Sequence, residues 1–481
     1  MSGPARGKTY VVRGFWDGEN VWKIRFAPTA AGSWSYETYS ADRGLDAIAG
    51  RLTALAPTRA DLAANVLYHG FLERDGHAWR LTDGTPFLPV GDSQFSFSEE
   101  FTFEEWKQWI DVLRDHGFNS FHGCVWLGKY DRAGIAPFQD RDPKTDQLNL
   151  EFFRRLDRMV EHANGRGILM GLFLGGFPEN TRWYELFGTR ERNNRWFRYA
   201  VGRYAAYNVR WGLYGEVNEK APPWGGTWQE AAAHSARLVK EADPYRHPLG
   251  SHHTSVDTST AGSPDIDYIE VQAKRTETQY ETALACRQWG KPVWFEEYWY
   301  EPPEYDNDVV LGIRNTHRNF VAAMALPTIG SLMRAHASSV SFPPARALAS
   351  GKSLAEYLKE QDGGIRRMKY FADFYRGLDL AAFSPAPQLV DRGQCGRFGA
   401  TYAVFLAGGG GMTLDLTQAS GDFTARALDI TTGSVRDLGA VAGGTPQRID
   451  TGAAGDVAVV VSPAAPRPRS ARVAAPVVFH R

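Results

Sequence analysis

Between residues 86 and 333 short apolar runs alternate with longer stretches in which apolar positions recur every three or four residues. The runs at 86–92, 119–126, 168–174, 209–214, 248–253, 266–272, 293–295 and 329–333 have the length and composition of buried parallel strands. The intervening stretches at 102–114, 150–164, 184–207, 228–242, 278–288 and 314–325 read as helices. In the first of these Thr102 is an N-cap, Glu105 completes a capping box, and Trp106, Trp109, Ile110 and Leu113 fall on one face. Eight strands alternating with helices predict an α/β fold, a (β/α)8 TIM barrel. An open doubly wound sheet would require an early glycine-rich phosphate loop, which Gly175-Gly176 alone does not supply.

Outside the barrel the period is two. Asp17-Gly18 marks a turn, residues 21–26 alternate before Pro28, and residues 32–39 continue in the same way. Residues 1–68 are therefore expected to form an N-terminal β-sandwich that opens mid-pattern, lacking a first strand. The barrel is expected over 69–378. Alternating segments at 402–406, 412–416, 425–430 and 457–461 predict a small C-terminal β-domain over 379–481, which ends in a tail rich in Pro, Arg and Ala.

A chain of 481 residues is too long for one core, in keeping with two or three domains. The composition, 43% hydrophobic and 23% charged, is that of a folded protein, and 13% aromatic residues are enough for a ligand surface as well as cores. A net charge of -1 provides no field to attract nucleic acid or an anionic membrane, so the expected partner is neutral or small. Cys124, Cys286 and Cys395 show no CxxC spacing, which argues against a disulfide framework or a structural zinc site. No apolar stretch reaches the ~18 residues of a spanning helix, and the N-terminus lacks the apolar core of a signal peptide. A cytoplasmic location is expected of the sequence as it stands, and a secreted or periplasmic one if the N-terminus is truncated.

In a (β/α)8 barrel the chemistry sits where strands end at the C-terminal face. Here the strand ends carry Asp92 and Gln94 (first), His122 (second), Glu216, Asn218 and Glu219 (fourth), and His252 and His253 (fifth). They continue with Gln272 (sixth), Glu296 and Glu297 (seventh), and Arg334 and His336 (eighth). Acids on strands four and seven face each other across part of the mouth, where two carboxyl groups can serve one bond. Trp126, Trp294 and Trp299 are either stacking walls for a sugar ring or core.

These residues resemble a known family. The segments Pro86-Phe-Leu-Pro-Val-Gly-Asp92, Gly117-Phe-Asn119, Trp211-x-Leu-x-Gly-Glu216, Gln272, and Lys291-Pro-Val-x-x-x-Glu297-x-x-Tyr300-Glu301 are similar, in order and spacing, to the apiosidase-like bacterial family. That family sits within the large clan of retaining glycoside hydrolases with glutamates on strands four and seven. Gly14-Phe-Trp-Asp-Gly18, Arg25-Phe-x-Pro28 and Gly32-x-Trp34 are similar to the β-sandwich that often precedes such barrels. The resemblance implies a carbohydrate substrate, no metal and no organic cofactor, with Glu297 as nucleophile and Glu216 as acid/base. Glu219 is held in reserve because an Asn-Glu pair occurs only at Asn218-Glu219, and Gly215 stands where the clan usually has the Asn that binds the sugar 2-OH. His122, Asn218 or His252 would then supply that contact. The remaining substrate-binding candidates are Asp92, Trp126, His253, Trp299, Tyr300, Arg334 and His336. Two other readings compete: an inactive carbohydrate-binding barrel, and a metal-dependent hydrolase using the strand-end histidines. The adjacency of His252 and His253 puts their rings on opposite faces of a strand, a poor arrangement for joint ligation.

Overall fold

The computed structural model describes residues 8–128, 134–179, 181–254, 258–272, 279–296, 309–329, 351–353, 356 and 363–464. Glu297, Trp299, Tyr300, Arg334 and His336 lie outside the described residues.

The N-terminal segment forms two separate antiparallel pairs, β1 (Phe15–Trp16) with β2 (Trp22–Lys23) and β3 (Gly32–Glu37) with β4 (Ala49–Ala54). Among the described residues these are two small two-stranded sheets, roughly consistent with the expected sandwich. Their apolar side is small: Trp34 is buried and packs on Phe26 and Tyr10, which in turn meet Tyr245 of the barrel. A charged staple completes the junction. Arg203, fully buried on the helix Arg190–Tyr204, donates from Nε and Nη2 to Asp157 at 2.8 and 2.7 Å and from Nη2 to Asp17 at 3.1 Å. Arg25 donates to the same Asp157 from Nη1 at 3.0 Å.

The hairpin of β5 (Leu72–Asp75) and β6 (Ala78–Leu81) precedes the barrel. Eight parallel strands then close into one ring: β7 (Gly91–Ser93), β8 (Ser120–Cys124), β9 (Leu169–Phe173), β10 (Val209–Gly212), β11 (Leu249–His253), β12 (Tyr268–Val271), β13 (Val293–Phe295) and β14 (Leu326–Ile329). The helix Phe103–Asp115 starts at Thr102 with the expected capping box to Glu105 and buries Trp106, Trp109, Ile110 and Leu113.

Two strands depart most from expectation. The first is confined to Gly91–Ser93, because Pro86 and Pro89 offer no N–H to a ladder. The eighth begins at Leu326 rather than 329, because the preceding helix ends at Ala323 and Met324 reverses the chain with φ 51°. After the barrel, β15 (Phe383–Pro385), β16 (Gln394–Phe398), β17 (Thr401–Leu406), β22 (Val457–Pro463), β19 (Asp422–Asp429) and β20 (Val435–Ala442) form a six-stranded sheet. A pair of β18 (Gly411–Asp415) and β21 (Pro446–Asp450) packs with it around Val404, Leu406, Met412, Leu414, Val459 and Val461.

The staple predicts a measurable coupling of the N-terminal ribbons to the barrel. Asp157→Ala leaves two arginines without their shared carboxylate and is expected to cost about 3 kcal/mol. It should also open residues 8–54 to protease before the barrel melts. Thermal melts with limited proteolysis check this, and a variant as resistant as the parent would show the staple to be idle.

Candidate active site

Strand alternation and register decide which side chains enter the barrel. From β8 to β13 the inward positions include His122, Gly171 and Phe173, Arg210 and Gly212, Gly250 and His252, Tyr268 and Glu270, and Trp294, with Glu296 following just past the strand. Three glycines leave the interior open. A Cβ at Gly171 would lie 2.8 Å from Arg210 Cζ and 2.9 Å from His122 Nδ1, one at Gly250 would collide with Glu270 and Tyr268, and one at Gly212 would collide with Phe173.

Arg210 rises through this opening. Its guanidinium lies 3.8 Å from the Trp294 ring centroid and donates from Nη1 to Tyr268 Oη at 2.7 Å, which itself donates to the Trp211 carbonyl at 2.9 Å. Nη2 meets Glu296 Oε1 at 2.6 Å, and Nη1 lies 3.7 Å from Glu270 Oε1. His122 Nδ1 is 2.9 Å from Glu296 Oε2 and 2.9 Å from Arg210 Nη2. Of these two neighbours the carboxylate selects the Nδ1–H tautomer of the ring.

This cluster is fully buried, so its protonation follows from solvation and neighbours together. Burial pushes Glu296 up, but the charge of Arg210 and then that of His122, with their hydrogen bonds, hold its carboxyl below the ordinary range. Burial, followed by the charge of Glu296, pushes Glu270 well above it. Burial lowers His122 despite the opposing pull of Glu296. Arg210 thus biases Glu296 toward the carboxylate and leaves Glu270 biased toward the acid.

Above it, at the strand-four end, stands Glu216. It is 7% exposed and adopts φ 48°, a left-handed conformation that a non-glycine residue holds only under local constraint. The constraint comes from β11: Glu216 N donates to His252 Nδ1 at 3.0 Å, and Val217 N donates to the His252 carbonyl at 2.9 Å. Burial, then the neighbouring His122 and His253, keep the His252 ring well below its usual pKa and therefore neutral. With Nδ1 accepting, the ring proton sits on Nε2. Gln272, just past β12, donates from Nε2 to Glu216 Oε1 at 3.0 Å. An apolar wall adjoins these groups, with Phe95 edge-on to Phe177 at 4.9 Å and to His122 at 5.4 Å.

The structure therefore brings Glu216, His252 and Gln272 together, with His122 and Glu296 in the cluster beneath. Other predicted residues go elsewhere. Asp92 lies on the outward side of β7 and accepts from Trp109 Nε1 at 3.0 Å, so it faces the helix layer rather than the mouth. His253 also turns outward, to Trp228 and Thr260, which confirms that the two histidines occupy opposite faces. Trp126 is core, within 6.0 Å of Trp183, Phe138 and Trp196. Trp294 stacks under Arg210 inside the barrel, not at its mouth.

Asn218 accepts from Thr254 N at 2.8 Å and so ties two loops together, while Glu219 is exposed at the end of its turn. Gln272 serves Glu216, and Trp211 and Tyr214 bond to Asp243 and to Asn193 and Ser235 away from the acid. Among the described residues no group of three or more His, Cys, Asp or Glu is arranged to hold a metal ion. No helix among them is long and apolar enough to cross a membrane.

The sequence pattern does not single out Arg210, Glu270, Tyr268 or the phenylalanine wall. A charged residue inside an apolar strand, as in Val209-Arg-Trp and Ile269-Glu-Val, was the signal available.

The two buried acids should respond to pH in opposite directions. A carboxyl raised on folding stabilises below about pH 4.3, the ordinary glutamate value, and that contribution is lost as pH rises toward its folded value. Glu270→Gln should therefore match or exceed the parent's melting temperature at pH 7, with the advantage vanishing near pH 4. A carboxyl lowered on folding stabilises above that value and loses its contribution as pH falls. Glu296→Gln should cost about 3–5 kcal/mol near neutrality by stranding Arg210, and less on acidification. Circular-dichroism melts at both pH values check the pair.

Comparison with known proteins accords with this fold. Residues 73–323 match the family model for the apiosidase-like catalytic domain, and residues 2–41 match a domain of unknown function, DUF5060. A protein from Bacteroides vulgatus ATCC 8482 assigned to the glycoside hydrolases is similar over 96% of this chain and 94% of its own, at 20% identity and TM-score 0.74. A family 5 glycoside hydrolase from the same organism is similar over 83% and 95%, at 17% identity and TM-score 0.69. At these identities the likeness is one of fold. No curated protein matches the sequence. With the family match spanning more than half of its length, the chain belongs to the apiosidase-like catalytic-domain family, among the glycoside hydrolases.

Proposed function

We propose that this protein hydrolyses glycosidic bonds of an oligo- or polysaccharide with retention of configuration, using Glu297 as nucleophile and Glu216 as acid/base. The observation that supports the reading most is Glu216 itself: a buried acid at the strand-four end, in a constrained backbone conformation, held at its N–H by His252 and at one oxygen by Gln272.

The chemistry needs two carboxyl groups in opposite protonation states. A lone pair of the ionised acid attacks the anomeric carbon as the bond to the leaving oxygen breaks, and that bond's electron pair departs with the oxygen. The protonated acid delivers its proton there. Water then attacks the glycosyl-enzyme while the same acid, now a carboxylate, removes the water's proton, and the nucleophile is released.

Glu296 competes with Glu297 as the ionised group at strand seven. Both its oxygens are engaged by Arg210 and His122, and it is 1% exposed, which suits a structural partner better than an attacking group. Glu219, exposed three residues past Glu216, lacks the enclosure and the held carboxyl oxygen that Glu216 has.

The expected first product, read by NMR on an aryl glycoside, keeps the anomeric configuration of the substrate; an inverted anomer would end the double-displacement reading. Glu297→Ala should abolish turnover whatever the leaving group, because no intermediate forms. Glu216→Ala should chiefly slow substrates with poor leaving groups and recover with added azide. Azide rescue of Glu219→Ala in place of Glu216→Ala would move the acid/base role to Glu219.

A further inference from the structure

Gln272 follows β12 on the inward parity of Tyr268 and Glu270 and reaches Glu216 Oε1 with its side-chain amide at 3.0 Å. Two donors do not share one axis. The carbonyl oxygen of a protonated carboxyl is a stronger acceptor than its hydroxyl oxygen, so an amide N–H held on Oε1 favours the proton on the other oxygen. On the next strand His252 takes the Glu216 N–H on Nδ1 at 3.0 Å, which holds the residue at φ 48° and sets the direction in which its side chain leaves the chain. Backbone and one carboxyl oxygen are thus anchored from two adjacent strands, β11 and β12.

We propose that Gln272 is a positioning residue that assigns the transferable proton of Glu216 to Oε2 and stabilises the carboxylate left after transfer. The proposal rests on the acid/base role given to Glu216 above. In the first step the Oε2 proton moves to the leaving oxygen, which takes the electron pair of the broken bond, and negative charge grows on the carboxyl group. The Gln272 N–H···Oε1 bond strengthens as that charge develops, so it is worth more in the transition state than in the ground state. In the second step Oε2 accepts the proton of the attacking water, and the same amide holds Oε1 in place.

The opposite amide orientation makes the opposite prediction. If the Gln272 carbonyl accepted an O–H from Glu216, it would favour the acid form, and removing it would make Glu216 more acidic.

The test uses the full chain with Gln272→Leu and the near-isosteric Gln272→Glu, so that a folding failure of the first leaves the second. The Glu216 carboxyl is followed by 13C NMR titration and identified by its disappearance in Glu216→Gln. Loss of the donor should raise its proton affinity about tenfold in Gln272→Leu, and further in Gln272→Glu, where a second carboxyl faces it. In turnover, the upper limb of the kcat/KM pH profile should move up by the same amount. Phenyl and alkyl glycosides should lose about 10- to 100-fold while dinitrophenyl glycosides change little. An unchanged or lowered affinity overturns the proposal, and so does an equal loss on good and poor leaving groups, the mark of a merely structural residue. If Glu216→Ala shows neither leaving-group dependence nor azide rescue, the acid/base assignment falls instead, a result separate from the titration.

Discussion

A guanidinium on the axis of the barrel is the constraint to which much of this interior answers. Removing a cation from water costs several kcal/mol unless partners surround it, and Arg210 has Glu296, Tyr268, Trp294, Glu270 and His122 around it. Its length also dictates what its neighbours are. A methyl group at Gly171 would intrude on Arg210 and His122, and one at Gly250 would intrude on the acid beside it, so a barrel usually filled by branched side chains is filled here by one long cation, its counter-charges and space. Strands two, four, six and seven are joined through a single side chain.

The cluster also explains how two acids coexist so close together. A single cation cannot neutralise two carboxylates, and Arg210 favours Glu296 by more than 1 Å in contact distance, leaving Glu270 to keep its proton. The strand-seven carboxylate is therefore fixed in charge and place directly before Glu297 in the chain. His252 stands between this level and the one above. It presents one edge to the phenylalanine wall and hands its Nδ1 lone pair to the backbone of Glu216, so the acid at the mouth is oriented by a ring that itself stays neutral.

Much of this was legible in the alternation of apolar runs with amphipathic stretches. Thr102 and Glu105 mark a helix start that is found there, and the strand-four and strand-six ends name Glu216 and Gln272. What was not legible depends on register and parity. Asp92, His253 and Trp126 lie at strand ends like the others, but one step along a strand reverses the face, and only the pairing of neighbours decides which face is inward. Strand eight was placed late because nothing in Ala323-Met-Ala325 signals a left-handed reversal at Met324. Arg210 and Glu270 are not legible as a pair because a buried charge is recognised by its partners, and those of Arg210 lie on strands distant in sequence, at Glu270 and Glu296.

Gly215 shows how such a site limits its own future changes. The ring of Phe177 lies where its Cβ would be, with ring carbons 2.5 Å from that position. A side chain at 215 therefore meets this ring, and fits only if residue 177 moves or shrinks. Shrinking 177 first removes an aromatic ring from the wall it shares with Phe95 and leaves a void. The glycine and the ring thus form one unit of change, in which the cost of altering either depends on the state of the other.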